Sequence, residues 1–363
     1  MAMRRAALAL AGTLVLGPLT PAPAAVATAG NRAPSSVTIE HVASVPFDAG
    51  IAQGARLVGD RFFVTTQRSF SVYDVSNPRL PILESTVPLG FKCCNEDVAT
   101  NGKILLFSET FPDEILHIWD VTSAPPSELA RLKIPRQHTV TCILDCRWAY
   151  GSEGAIIDLR DPTRPQLAGE WPVKRNPTHD FEEFKPGFLV NSPLRAPWTV
   201  EVLDVRRPLH PRLIKETPAA APGPDKYSWF HQAAWPRDGH DRFLVLGAEG
   251  VPGPVMTFDT TEWARSGHFA FVDRFLVDDS TDPNASSHWF DVHPRFHDGG
   301  LIAVGWNHHG TRILEVSKTG QIHDLGAFQP PLASAESAYW ITDEIVYVVD
   351  FYRGLDIISV TRE

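Results

Sequence analysis

Along this chain, apolar residues come in short bursts, each closed by a polar turn, with no sustained helical period. One phrase recurs: an apolar strand that ends in an acidic residue and then turns. It is clearest at Ser71-Val72-Tyr73-Asp74-Val75-Ser76-Asn77-Pro78. It returns at His117-Ile118-Trp119-Asp120-Val121, Ile156-Ile157-Asp158-Leu159 and Val202-Leu203-Asp204-Val205. Weaker copies stand at Thr257-Phe258-Asp259-Thr260, Ile313-Leu314-Glu315-Val316 and Ile357-Ile358-Ser359-Val360. The copies are spaced at roughly 38 to 56 residues, the period of propeller blades. Each is preceded by an apolar strand such as Arg61-Phe62-Phe63-Val64 and followed by another such as Arg212-Leu213-Ile214-Lys215, so each unit holds the four strands a blade requires.

The pattern predicts an all-β, seven-bladed β-propeller. The last unit stops after its third strand, at Val360, and Val37-Thr38-Ile39-Glu40-His41-Val42-Ala43 is a strand without a unit of its own. Placing that strand as the fourth of the last blade closes the ring and removes its open edges. Closure argues for seven blades over six with a distorted sixth.

The "apolar-apolar-Asp-Val-Ser-Asn-Pro" phrase at Val72 to Pro78, with its degenerate copies through residues 50 to 360, resembles the LVIVD-repeat propellers, secreted or surface proteins of bacteria. That resemblance implies a scaffold and no single reaction, so function must be read from a site.

Composition narrows the classes. Proline (31), glycine (25) and tryptophan (10) are plentiful, as expected of a turn-rich all-β domain. A formal net charge of -10 supplies no basic surface for nucleic acid or an anionic membrane. Arg4 and Arg5, the apolar run Ala6 to Gly17 and the small-residue sites Ala22-Pro23-Ala24 and Ala25-Val26-Ala27 read as a secretory signal peptide over 1-27. The run is too short to span a bilayer, which takes about 20 apolar residues. A short linker over 28-36 and a single propeller domain over 37-363 follow, and the mature protein is expected outside the cell, without a membrane span.

Candidate chemistry lies where the first strand of each blade begins, because those strands line the central channel. The aligned residues are Gly54, Glu96, His138, His179, His231, His288 and Ser337. Four consecutive blades thus present a histidine, and the blade before them a glutamate. Converging imidazoles suit zinc, copper or iron, with Glu96 as an oxygen ligand or general base. Two plainer readings compete: a residue inherited with the repeat that bonds to the next blade, and a polar lining for a water-filled channel. The loops joining strands two and three share the same face and bring Arg68, Glu109, Glu153, Arg195, Glu249, His308-His309 and Tyr352-Arg353. Of these, Arg68, Glu249, His309 and Arg353 are the candidate contacts to a polar or anionic ligand. The histidine ring is similar, by channel histidines alone, to the metal-lined channel of the selenium-binding, methanethiol-oxidase family.

Four cysteines in an exported chain suggest disulfides. A Cys142-Cys146 bridge fits a tight hairpin, leaving Cys93 and Cys94 as a vicinal pair or as thiols; a Cys94-Cys142 bridge is the alternative. Neither a G-x-S-x-G elbow nor a phosphate or dinucleotide loop is present. Two functions follow: a module that binds a small molecule or an extracellular protein at a metal-bearing channel mouth, or a metal-dependent lyase, hydrolase or oxidase acting through the same ring.

Overall fold

The computed structural model describes residues 36-47, 50-90, 96-109, 114-135, 137-171, 178-193, 199-218, 227-251, 253-277, 282 and 285-362. Its strands form seven four-stranded antiparallel sheets. The first strands of the seven blades are Ala52–Val58, Ala99–Thr100, Val140–Ile143, Thr178–Lys185, Tyr227–Ala234, Ser286–Val292 and Ala335–Trp340. Each packs against the first strand of the blades on either side, and the circuit closes from the seventh back to the first.

The recurring acidic residue has a local purpose. Asp74, Asp120, Asp158, Asp204 and Asp259 each accept a hydrogen bond from the backbone N–H two residues on, at 2.8 to 3.1 Å. This Asx turn stops the third strand and swings the chain into the fourth. The proline of the phrase is also used. Tyr150 Oη donates to the Pro208 carbonyl at 2.6 Å and Tyr347 Oη to the Pro78 carbonyl at 2.9 Å, each tying one blade to the turn of the next.

Apolar burial follows the same logic. Among the described residues, seven separate clusters of buried side chains occur, one at each interface between neighbouring blades. The cluster between blades four and five is built on Phe184, Val202, Phe230, Trp235 and Phe258. That between blades seven and one is built on Phe62, Tyr73, Tyr347 and Ile357. Among the described residues no apolar cluster fills the axis, and the side chains gathered there are polar.

The N-terminal strand Val37–Val45 pairs antiparallel with Gly354–Arg362 and completes the last blade, as expected. Ser44 Oγ donates to the buried Asp356 carboxylate, and Arg353 Nε donates to it at 2.8 Å. The Cys142–Cys146 bridge across the blade-three hairpin is formed, with Cα atoms 4.5 Å apart. Cys93 and Cys94 lie outside the described residues.

Candidate metal centre

The register of the first strands shows how the ring is made. In five blades the pairing of strands one and two slips by a bulge at the upper end, and the extra residue is Gln53, His179, His231, the pair His288-Trp289, or Glu336. A bulge inserts one unpaired residue and re-aims its side chain. In blades two and three, Glu96 and His138 occupy the equivalent place just ahead of the strand. The ring therefore reads Gln53, Glu96, His138, His179, His231, His288, Glu336. Gly54 and Ser337, aligned from the sequence alone, each sit one residue too far along.

The four imidazoles converge. Glu96 Oε2 lies 3.3 Å from His231 Nε2, 3.5 Å from His179 Nε2, 3.6 Å from His138 Nε2 and 3.7 Å from His288 Nε2. His138 Nε2 and His179 Nε2 are 3.0 Å apart. The His179 and His231 rings face each other at 3.9 Å between centroids, and His231 and His288 at 4.3 Å. His179, His231 and His288 are buried, and the indole of Trp289 packs against His231 at 4.7 Å.

Among the described residues, donor atoms within 4.8 Å of one another form three triads: Glu96-His138-His179, Glu96-His231-His288 and His179-His231-Glu249. Glu249 was picked out as a loop residue. It lies on strand two opposite Trp229, whose indole N–H donates to it at 3.0 Å, and its carboxylate is 3.8 Å from both His231 and His288.

Protonation suits cation binding. Burial pushes His179 and His231 below the ordinary histidine range, reinforced by neighbouring imidazoles, which favours neutral rings with lone pairs to give. Burial works against ionisation of Glu96, but hydrogen bonds from His138 and His231 outweigh it and hold the carboxyl well below its usual range. His288 Nδ1–H donates to the Glu336 carbonyl at 2.8 Å, which leaves Nε2 as the acceptor facing the ring. Neutral imidazole nitrogens with carboxylate oxygens fit a divalent first-row transition ion.

A second layer lies further along the same strands and escaped the sequence reading. Arg56 Nη1 donates to Asp97 at 3.2 Å, and the Thr141 hydroxyl lies 3.3 Å from both Asp97 and Asp180. Arg56, Thr141, Glu182, Asp291 and Tyr339 each follow a ring residue by three positions. That recurrence was the available signal. Glu336 was also missed. It is fully buried, its Oε1 is 3.8 Å from His288 Nδ1, and burial pushes its carboxyl well above the ordinary range.

Burial likewise pushes Asp291 up to about 7, with Glu182 adding to the effect, while the Trp340 N–H at 3.0 Å and Arg56 oppose it. Below about pH 4 the carboxyl is protonated whether the chain is folded or not. Between about pH 4 and 7 only the unfolded chain releases the proton, so stability falls as pH rises, then levels off. At about 1.4 kcal/mol per pH unit the span amounts to roughly 4 kcal/mol at most. Asp291→Asn should therefore stabilise the protein at pH 8 by up to about 4 kcal/mol and leave it unchanged at pH 4. Urea unfolding at the two pH values checks this; equal effects at both would contradict it.

The remaining candidates lie apart from the ring triads. Arg68 is exposed. Arg353 is paired with Asp356 in the closing blade. His308 Nδ1 is 3.0 Å and His309 Nε2 3.6 Å from Asp282 Oδ2. Glu109 is buried against His117 at 3.3 Å, Glu153 is exposed, and Arg195 lies outside the described residues. No helix among the described residues is long and apolar enough to cross a membrane.

The sequence matches no family model and no curated protein. The fold is similar to a solved structure described as U3-55K, at 9% identity and a TM-score of 0.61, covering 88% of this chain and 98% of that one. It is similar also to a structure described as RRP9 WD40 repeats, at 9% identity and a TM-score of 0.61, covering 89% and 97%. At such identity the likeness speaks for the fold alone. The chain is a seven-bladed β-propeller resembling WD40-repeat structures, with a buried His/Glu cluster in its channel.

Proposed function

We propose that this protein is an exported, LVIVD-type propeller whose ring of His138, His179, His231, His288 and Glu96 holds a divalent transition metal (zinc, copper or iron). At the channel mouth the metal is presented to a small molecule or an extracellular protein. The observation that carries the reading is the approach of four Nε2 atoms to one carboxylate oxygen, at 3.3 to 3.7 Å. A solvated lining would have no reason to turn four imidazoles to one point, at the cost of burying three of them. Export and LVIVD kinship rest on the N-terminal pattern and the recurring phrase.

A metal-dependent lyase, hydrolase or oxidase is the second reading. Glu249 favours it: a carboxylate held by Trp229 beside the imidazoles would serve as a general base for water at the ring. The bound ion would supply Lewis acidity, and Glu96 would fix its position. Protein purified without chelator and dialysed should retain near-stoichiometric zinc, copper or iron by mass spectrometry. A metal-free protein that resists reconstitution would return the histidines to repeat architecture.

A further inference from the structure

The ring offers more donors than one ion uses. Four imidazoles and two carboxylates, Glu96 and Glu249, surround the centre, whereas a zinc-type site is complete with four ligands. These donors also divide. His138 and His179 form one triad with Glu96, and His231 and His288 form another; the two share no histidine, only the Glu96 carboxylate. His138 Nε2 and His179 Nε2 lie 3.0 Å apart, as two ligands of one ion would. His231 and His288 are each 3.8 Å from Glu249, which gives their set a fourth donor. The triad His179-His231-Glu249 spans the two pairs and keeps them contiguous.

We propose that the ring holds two divalent transition ions rather than one, bridged by Glu96: the first on His138 and His179, the second on His231, His288 and Glu249. This rests on the metal reading above and adds stoichiometry and arrangement to it. A carboxylate-bridged pair typically spans about 3.5 to 4 Å and clamps a substrate oxygen or water between its ions, so the class of chemistry narrows to two-metal displacement. The two sets are also unequal. The His138 set has fewer protein donors and keeps open positions for a ligand, while the second is nearer to closed.

The test counts ions. Wild-type protein equilibrated with Zn2+ and dialysed should carry two ions per chain by native mass spectrometry. His138→Ala and His288→Ala should each carry one. With Mn2+ loaded instead, the wild type should give the electron paramagnetic resonance spectrum of an exchange-coupled pair, and each single variant the signal of an isolated ion. One ion in the wild type with an uncoupled Mn2+ spectrum would overturn the pair and leave the single-metal reading standing. No ion at all would overturn both. Should a variant fail to fold, the wild-type count and spectrum decide by themselves.

Discussion

Replacing His179 and His231 together by alanine is expected to cost the protein its metal, with affinity falling at least about 100-fold, while the propeller stays folded. Loss of a mere outer-shell partner already costs about 10- to 100-fold, and these residues are in the proposed inner set. They are the informative pair because neither ring carries a bond that the fold needs. Nδ1 of both is buried without a hydrogen-bond partner, whereas Nδ1 of His288 is bonded to the next blade. The double variant removes buried polar atoms from the channel and touches none of the seven apolar clusters. A loss of stability beyond about 3 kcal/mol, the range of leaving a buried polar group unsatisfied, is therefore not expected. Isothermal titration with Zn2+, beside urea unfolding of the metal-free forms, separates the two effects. Unchanged affinity, or collapse of the fold, would mean that these histidines serve the repeat.

The second large effect concerns closure. Deleting Val37–Val45 should cost about 5 kcal/mol, comparable to the whole stability of many domains. Val37, Ile39, Val42 and Val45 are partly buried against the clusters flanking blade seven and contribute roughly 1 kcal/mol each. Asp356, 1% exposed, would lose the Ser44 hydroxyl and keep only part of its hydrogen bonding. The strand Gly354–Arg362 would become an open edge, and edge-to-edge pairing makes oligomers the expected product. Thermal unfolding and size-exclusion chromatography measure both consequences, and a synthetic peptide of residues 37-45 should restore the monomer. A deletion variant as stable and monomeric as the parent would show that the ring does not depend on this strand.

Much of this architecture was legible because the repeat is written in turn chemistry. Asp74 and its four equivalents recur since an Asx turn must end each third strand, and the unpaired strand at Val37 announced the closure. The ring histidines were legible for a related reason, standing at one structural position in consecutive blades. What the reading lost follows from bulges. A bulge adds one residue without changing the apolar pattern around it, so Gln53 and Glu336 were displaced in the alignment by their neighbours Gly54 and Ser337. Glu249 sounded like a solvated loop carboxylate, because nothing in its neighbours says that strand two extends far enough to set it opposite Trp229. The Arg56 layer was hidden for another reason. Asp97, Asp180 and Glu182 alternate with apolar residues as surface positions do, and only the closed channel turns that face inward.

The most direct test of the account is anomalous X-ray scattering from crystals of metal-loaded protein, recorded on either side of the metal's absorption edge. The account predicts strong difference density inside the ring, within bonding distance of the histidine Nε2 atoms and beside Glu96, resolving into two peaks if the pair is present. A map without a peak there, from crystals in which the same ion occupies other surface sites, would contradict it.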